Sequence, residues 1–171
     1  MLELGSNRIR KIENMEGLES LTNLFLGKNK IAKIENIDCL SKLELLSIQS
    51  NRIKKIEGLA RNVALEHLYI SHNGIEKLEG LESNVKLTTL DVASNLIKKL
   101  ENINHLSNLE DLWMNHNSLT DWKDVEHLKD LTKLDTVYLE GNPIASDTMY
   151  RKKIMLIVPN VSQIDATFCR S

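Results

Sequence analysis

The chain has 171 residues, of which 42% are hydrophobic and 27% charged, and carries a formal net charge of −2. That is the composition of an ordinary globular chain, and its near-neutral charge supplies no global attraction to nucleic acid or anionic lipid. No apolar run approaches the roughly 20 residues of a membrane helix. The two cysteines, Cys39 and Cys169, do not form the disulfide-rich cap of extracellular repeat proteins, so a reducing, intracellular compartment is expected.

In chain order, the opening Met1-Leu2-Glu3-Leu4-Gly5-Ser6-Asn7 reads as part of a repeat rather than as a signal sequence. Asn recurs at 7, 29, 51, 73, 95 and 117, a step of 22 residues, and again at 142 after a step of 25. Around it, Leu21-x-x-Leu24-x-Leu26-x-x-Asn29-x-Ile31-x-x-Ile34 returns one period later as Leu43, Leu46, Ile48, Asn51, Ile53 and Ile56. It returns again through Leu65–Leu78 and Leu87–Leu100. A period in this range is that of a leucine-rich repeat. The predicted fold is an α/β leucine-rich-repeat solenoid. It has a curved parallel sheet on the concave side, 3-10 or helical turns on the convex side, and a C-terminal cap. Repeats are assigned to residues 1–142 and the cap to residues 143–171.

Leu2 and Leu4 hold the places of Leu24 and Leu26, so the sequence opens on a strand. A bare solenoid end exposes core and an unpaired edge. Further repeats upstream, or an oligomer joined at that edge, are therefore expected; otherwise the chain is read as a monomer.

Within each unit the strand leucines point inward and the residues between them outward. The Asn leaves the strand with an amide that can satisfy buried backbone groups, which a Leu cannot do. The ladder is thus structural. The spacing Ile31, Ile34, Ile37 predicts 3-10 turns, in which residues i and i+3 eclipse. Lys30, Lys33, Arg52, Lys54, Lys55, Lys98 and Lys99 fall on that side, but Glu35, Glu57, Glu79 and Glu101 are interleaved with them, which argues against a basic patch for RNA. After Asn117 three extra residues predict a longer, more helical back, with Trp122 in line with core positions. Next come Tyr138–Ile144, an N-cap candidate at Ser146 or Asp147, and a helix over Tyr150–Ile157 that Pro159 ends. Val161, Ile164 and Phe168 are expected to fold back over the last repeat.

The row that does not repeat is the outward position at each strand centre: Glu3, Phe25, Ser47, Tyr69, Asp91, Trp113, Tyr138. Four of the chain's seven aromatic residues stand in it. Exposed aromatics on a rigid sheet are interface anchors. The flanking row reads Asn23, Leu45, His67, Thr89, Asp111, Thr136, and Glu140 follows the last strand, so acids border the aromatics. Seven strands give a strip about 29 Å long at about 4.8 Å per gap, the scale of a protein partner. At the same spacing Tyr69 and Trp113 stand nearly 10 Å apart, about two gaps, which argues against their packing on each other. No nucleophile–base pair, phosphate loop or metal-ligand set stands out. His72 and His116 occupy equivalent positions two repeats apart with no evident third ligand, His67 being a weak addition, and Cys39 reads as a small apolar filler. The chain is expected to be neither an enzyme nor a cofactor carrier.

The 22-residue unit Asn-x-Ile-x-x-Ile-Glu-Gly/Asn-Leu resembles the leucine-rich regulatory subunit 7 family of protein phosphatase 1. So do Leu24-Phe-Leu-Gly-Lys-Asn-Lys30, Ser71-His-Asn-Gly-Ile75, Leu90-Asp-Val-Ala-Ser-Asn95 and Tyr138-Leu-Glu-Gly-Asn-Pro143. Tyr150-Arg-Lys-Lys and Gln163-Ile-Asp-Ala-Thr-Phe168 look like that family's closing cap. The resemblance implies a non-enzymatic regulator, in nucleus and cytoplasm, whose concave face grips the phosphatase catalytic subunit. The matching contact positions are Glu3, Phe25, Asp91, Asp111, Trp113 and Tyr138. With Tyr69 and Glu140 from the row itself, these form the expected binding set. Asp111 departs from the Glu of relatives, and relatives carry further repeats upstream. The repeat type and cap are also similar to the A-prime protein of a spliceosomal ribonucleoprotein and to dynein-associated cytoskeletal adaptors, the alternative scaffolding roles.

Overall fold

The fold is seen in a computed structural model, which describes residues 1–169. Seven short strands, β1 (Leu2–Glu3), β2 (Asn23–Phe25), β3 (Leu45–Ser47), β4 (His67–Tyr69), β5 (Thr89–Asp91), β6 (Asp111–Trp113) and β7 (Thr136–Tyr138), follow one another in a parallel sheet. The register is unbroken: Leu2, Leu24, Leu46, Leu68, Leu90, Leu112 and Val137 lie side by side. Register is tightly specified because a one-residue slip would turn every core leucine to solvent. The sheet then continues beyond the repeats. β8 (Gln163–Ile164) pairs parallel with β7, and β9 (Thr167–Phe168) pairs antiparallel with β8.

One apolar core runs from Ile12 to Ile164. The Asn ladder closes it on the strand-exit side. Asn95 donates to Ile70 O (3.2 Å) and Val92 O (3.0 Å) and accepts from Ile75 N (3.0 Å). Each amide from Asn29 to Asn142 thus joins its own turn to the preceding repeat. The residue before it is left-handed every time: Ser6, Lys28, Ser50, His72, Ser94, His116 and Gly141.

The convex side carries the expected turns, but not where the isoleucine spacing put them. The Ile31–Ile37 segment is not helical. Its polar groups are claimed by the next repeat: Ile31 N donates to Asn51 Oδ1, and Ile31 O accepts from Arg52 N. Inter-repeat bonding wins over the local turn. Single 3-10-type turns form one step later, where Leu40 N donates to Ile37 O and Leu43 N to Leu40 O. The longer sixth unit does become helical, as α1 (Trp122–Val125) followed by a 3-10 turn over Glu126–Asp130. Trp122 is only partly buried, because the helix hands the inward position to Val125. Its ring packs 6.1 Å from that of Tyr150, with Lys153 Nζ above it at 4.9 Å. Cys39 fills a gap at the core edge, its Sγ 3.4 Å from Met15 O.

The closing segment is a 3-10 turn (Pro143–Ser146), the helix α2 (Tyr150–Ile157) and the β8–β9 hairpin. Asp147 caps the turn before α2, accepting from Met149 N at 2.8 Å, whereas the residue at the helix N-cap, Met149, offers no side-chain bond. Tyr150, Ile154, Val158, Val161 and Ile164 cover the last repeat. Phe168 does not: on the outer hairpin strand it is 72% exposed, because alternation along β9 leaves no core beneath it. The last two residues of the expected cap, 170 and 171, lie outside the described residues.

Candidate protein-binding face

The concave row is continuous in register from Glu3 through Phe25, Ser47, Tyr69, Asp91 and Trp113 to Tyr138. Its residues are not equivalent. Glu3 is exposed, the four aromatics are half-buried, and Ser47 and Asp91 are buried. The half-burial comes from the aromatics themselves. Trp113 lies 6.1 Å from Tyr69 in a tilted pair and 6.4 Å from Tyr138 edge-on. The expectation that Tyr69 and Trp113 are too far apart to pack is therefore wrong. Parallel spacing holds at the backbone, but side chains on a concave surface converge, and the short Asp91 between them leaves the space. Phe25 stands apart across Ser47, in a second hollow of about 270 Å³ that also holds Glu3 and Lys28.

Asp91, Trp113, Tyr138 and Glu140 share a groove of about 560 Å³ with His72 and His116. Asp91 Oδ1 accepts from Ala93 N at 3.0 Å. Burial raises its carboxyl above the ordinary range, opposed by hydrogen bonds from Ser71 and Ala93 and by His72. The Tyr69 phenol is raised by burial and then by Asp111 and Asp91. Asp111 sits one row over, accepting from Thr89 Oγ1 at 3.3 Å, while His67 Nδ1 lies 3.2 Å from the same hydroxyl. The indole Nε1 of Trp113 is enclosed without an acceptor. Gly141 is required here: its φ is +71°, and a Cβ would collide with the ring of His116. Among the described residues no three His, Cys, Asp or Glu side chains are grouped as a metal site.

The closing segment fixes one end of the face. Tyr138 Oη accepts from Gln163 Nε2 at 2.6 Å, and the same nitrogen donates to Asp165 O at 2.9 Å. The Asp165 carboxylate, itself buried, accepts from Leu139 N (2.9 Å), Glu140 N (3.0 Å) and Tyr150 Oη (3.0 Å). Burial and the neighbouring Asp165 raise the Tyr150 phenol strongly, so it stays a donor.

Sequence reasoning missed Gln163 and Asp165 as individual residues, since neither belongs to the repeat. It also missed two periodic signals. Glu44, Glu66 and Glu110 recur at multiples of 22 residues and, with Asp135, stand exposed at the strand entrances, where Lys86 and Lys133 share the same edge. Asn62 and Asn84 replace the leucines of positions 40 and 106; fully buried, they donate to Ile37 O and Leu59 O as a second ladder on the convex side.

The sequence profile of leucine-rich repeats matches residues 61–170, and a two-copy leucine-rich repeat profile matches residues 19–61. The chain belongs to the leucine-rich repeat family. This leucine-rich repeat chain is 65% identical over 37 residues to protein phosphatase 1 regulatory subunit 7 of Danio rerio, a stretch covering 22% of the chain and 11% of that protein. For the Homo sapiens protein of the same name, identity is 62% over 37 residues, covering 22% and 10%. For protein phosphatase 1 regulatory subunit SDS22 of Schizosaccharomyces pombe it is 51% over 39 residues, covering 22% and 12%. The chain thus spans about a tenth of the length of the curated relatives it matches. Among solved structures, an internalin of Listeria monocytogenes superposes with a TM-score of 0.82 at 29% identity, covering 96% of this chain and 47% of that one. The Drosophila melanogaster SNF/U2A′ complex contains a chain that superposes with a TM-score of 0.66 at 25% identity, covering 72% of each.

Proposed function

We propose that this chain is a non-enzymatic regulatory subunit that binds the protein phosphatase 1 catalytic subunit through its concave face and modulates its activity. One observation carries the reading. The packed rings of Tyr69, Trp113 and Tyr138 border Asp91, Asp111 and Glu140 on a rigid sheet, in a chain similar to proteins named as phosphatase 1 regulatory subunits. Large, rigid aromatics are the side chains that dominate protein interfaces. The acids beside them favour a basic surface on the partner. Glu3 and Phe25 lengthen the same face toward β1. Nucleus and cytoplasm are the compartments this role implies. No helix among the described residues is long and apolar enough to cross a membrane.

Calorimetric titration with the phosphatase 1 catalytic subunit tests the proposal. Binding by the parent, lost in Trp113→Ala, is the expected result. A parent that shows no binding heat removes this role. Capture of an RNA-binding protein instead would support a ribonucleoprotein scaffold, the second reading, which the likeness to the SNF/U2A′ structure favours.

A further inference from the structure

Asn73 is the ladder asparagine followed by glycine; Arg8, Lys30, Arg52, Leu96, Ser118 and Pro143 follow the others. The fold does not require Gly74. Its φ is not positive, and a Cβ would meet Ile53 O at 3.6 Å and Lys54 Cγ at 3.7 Å, both ordinary contacts. The pair carries a chemical liability instead. A glycine amide nitrogen has no side chain shielding it, and its backbone is freer than any other. It can therefore attack the Cγ of the preceding asparagine.

In the native chain both reactants are held. Gly74 N donates to Ile53 O at 2.7 Å. Asn73 Nδ2 donates to Ile48 O (3.2 Å), Ile70 O (3.1 Å) and Ser71 O (3.1 Å), while Oδ1 accepts from Ile53 N at 2.9 Å. Attack would require all of these bonds to break together.

We propose that Asn73 is a fold-protected deamidation site, which reacts only when its repeat opens and whose product then bars the repeat from closing. In the opened chain the Gly74 nitrogen forms a bond to Asn73 Cγ. The Cγ–Nδ2 bond breaks, and ammonia leaves with the proton from the attacking nitrogen. Water opens the resulting succinimide at either carbonyl, to aspartate or isoaspartate. The net change is amide plus water to carboxylic acid plus ammonia. The product cannot restore the ladder. A carboxylate would face the oxygens of Ile48, Ile70 and Ser71 with no hydrogen to give them. Isoaspartate also lengthens the backbone directly after the left-handed His72. Because each repeat contacts only its neighbours, a central repeat that stays open separates the Phe25 end of the concave face from the Trp113 end.

Incubation of the full chain at mildly alkaline pH, folded and in urea, followed by peptide mass mapping, tests this. Conversion at position 73 should be at least about tenfold faster in urea, since native protection follows the free energy of opening. Asn51, followed by Arg52, is the internal reference and should stay unconverted. Gly74→Ala should melt with the parent yet lose the conversion in urea. Converted chains, like Asn73→Asp, should fail to regain the parent's melting transition. Equal conversion in folded and unfolded chains, conversion at Asn51 as fast as at Asn73, or an Asn73→Asp variant melting with the parent would each overturn the proposal.

Discussion

The rings of Tyr69 and Trp113 lie 6.1 Å apart although their strands, β4 and β6, are second neighbours in the sheet. The residue between them, Asp91, is short and buried. Curvature brings the two rings together above it. Tyr69, Trp113 and Tyr138 are therefore a packed unit, and its members contribute to the stability of the sheet.

This sets the expected behaviour of Trp113→Ala. Affinity for the phosphatase catalytic subunit should fall by about 2 kcal/mol or more, the scale of an interface anchor. Stability should fall too, by about 1–3 kcal/mol, because two aromatic pairs are lost at about 0.5–1.5 kcal/mol each. Urea denaturation beside the titration separates the two effects. Unchanged affinity with lowered stability would assign Trp113 to the fold alone.

Asp91 should make stability depend on pH in an unusual direction. Its carboxyl is raised in the fold, chiefly by burial. Between the unfolded value near 3.9 and the folded value, the native chain holds the extra proton, so stability falls as pH rises through that window. Asp91→Asn removes the fall. Unfolding free energy, variant minus parent, should therefore be more positive at pH 7 than at pH 4. A difference that does not change with pH would mean that burial does not govern this carboxyl.

Asp165 holds the closing hairpin to the last repeat through Leu139 N, Glu140 N and Tyr150 Oη. Bonds to a charged acceptor contribute about 1.5–3 kcal/mol each, so Asp165→Ala should cost more than about 3 kcal/mol and Tyr150→Phe less. Hydrogen exchange should localise the loosening to β7, α2 and β8. Protection lost evenly along the solenoid would contradict this local role.

The ladder makes its own demand. Asn73→Ala strands the carbonyls of Ile48 and Ile70 and the N–H of Ile53. A cost of about 1–3 kcal/mol follows for each buried group that water cannot reach. A melting temperature equal to the parent's would show that these groups find other partners.

Solenoid class, strand centres and the asparagine ladder were legible in the chain because each repeat poses the same local problem. The 22-residue step repeats the solution until it cannot be missed. Trp122, Phe168 and the Ile31–Ile37 segment were misread for a common reason. Periodicity gives the side a residue faces in an ideal unit, not the depth it reaches where a helix begins, a hairpin ends or a neighbouring repeat takes the hydrogen bond.

The sequence alone determined the repeating core leucines and which seven residues stand on the concave row, since alternation is a fixed property of extended backbone. Only the tertiary structure decided how that row is arranged. It brought Tyr69 to Trp113 over a buried Asp91 and turned Gln163 and Asp165 toward Tyr138 and Glu140. Those relations depend on sheet curvature and on contacts across 25 to 44 residues of chain, distances at which the local pattern carries no information.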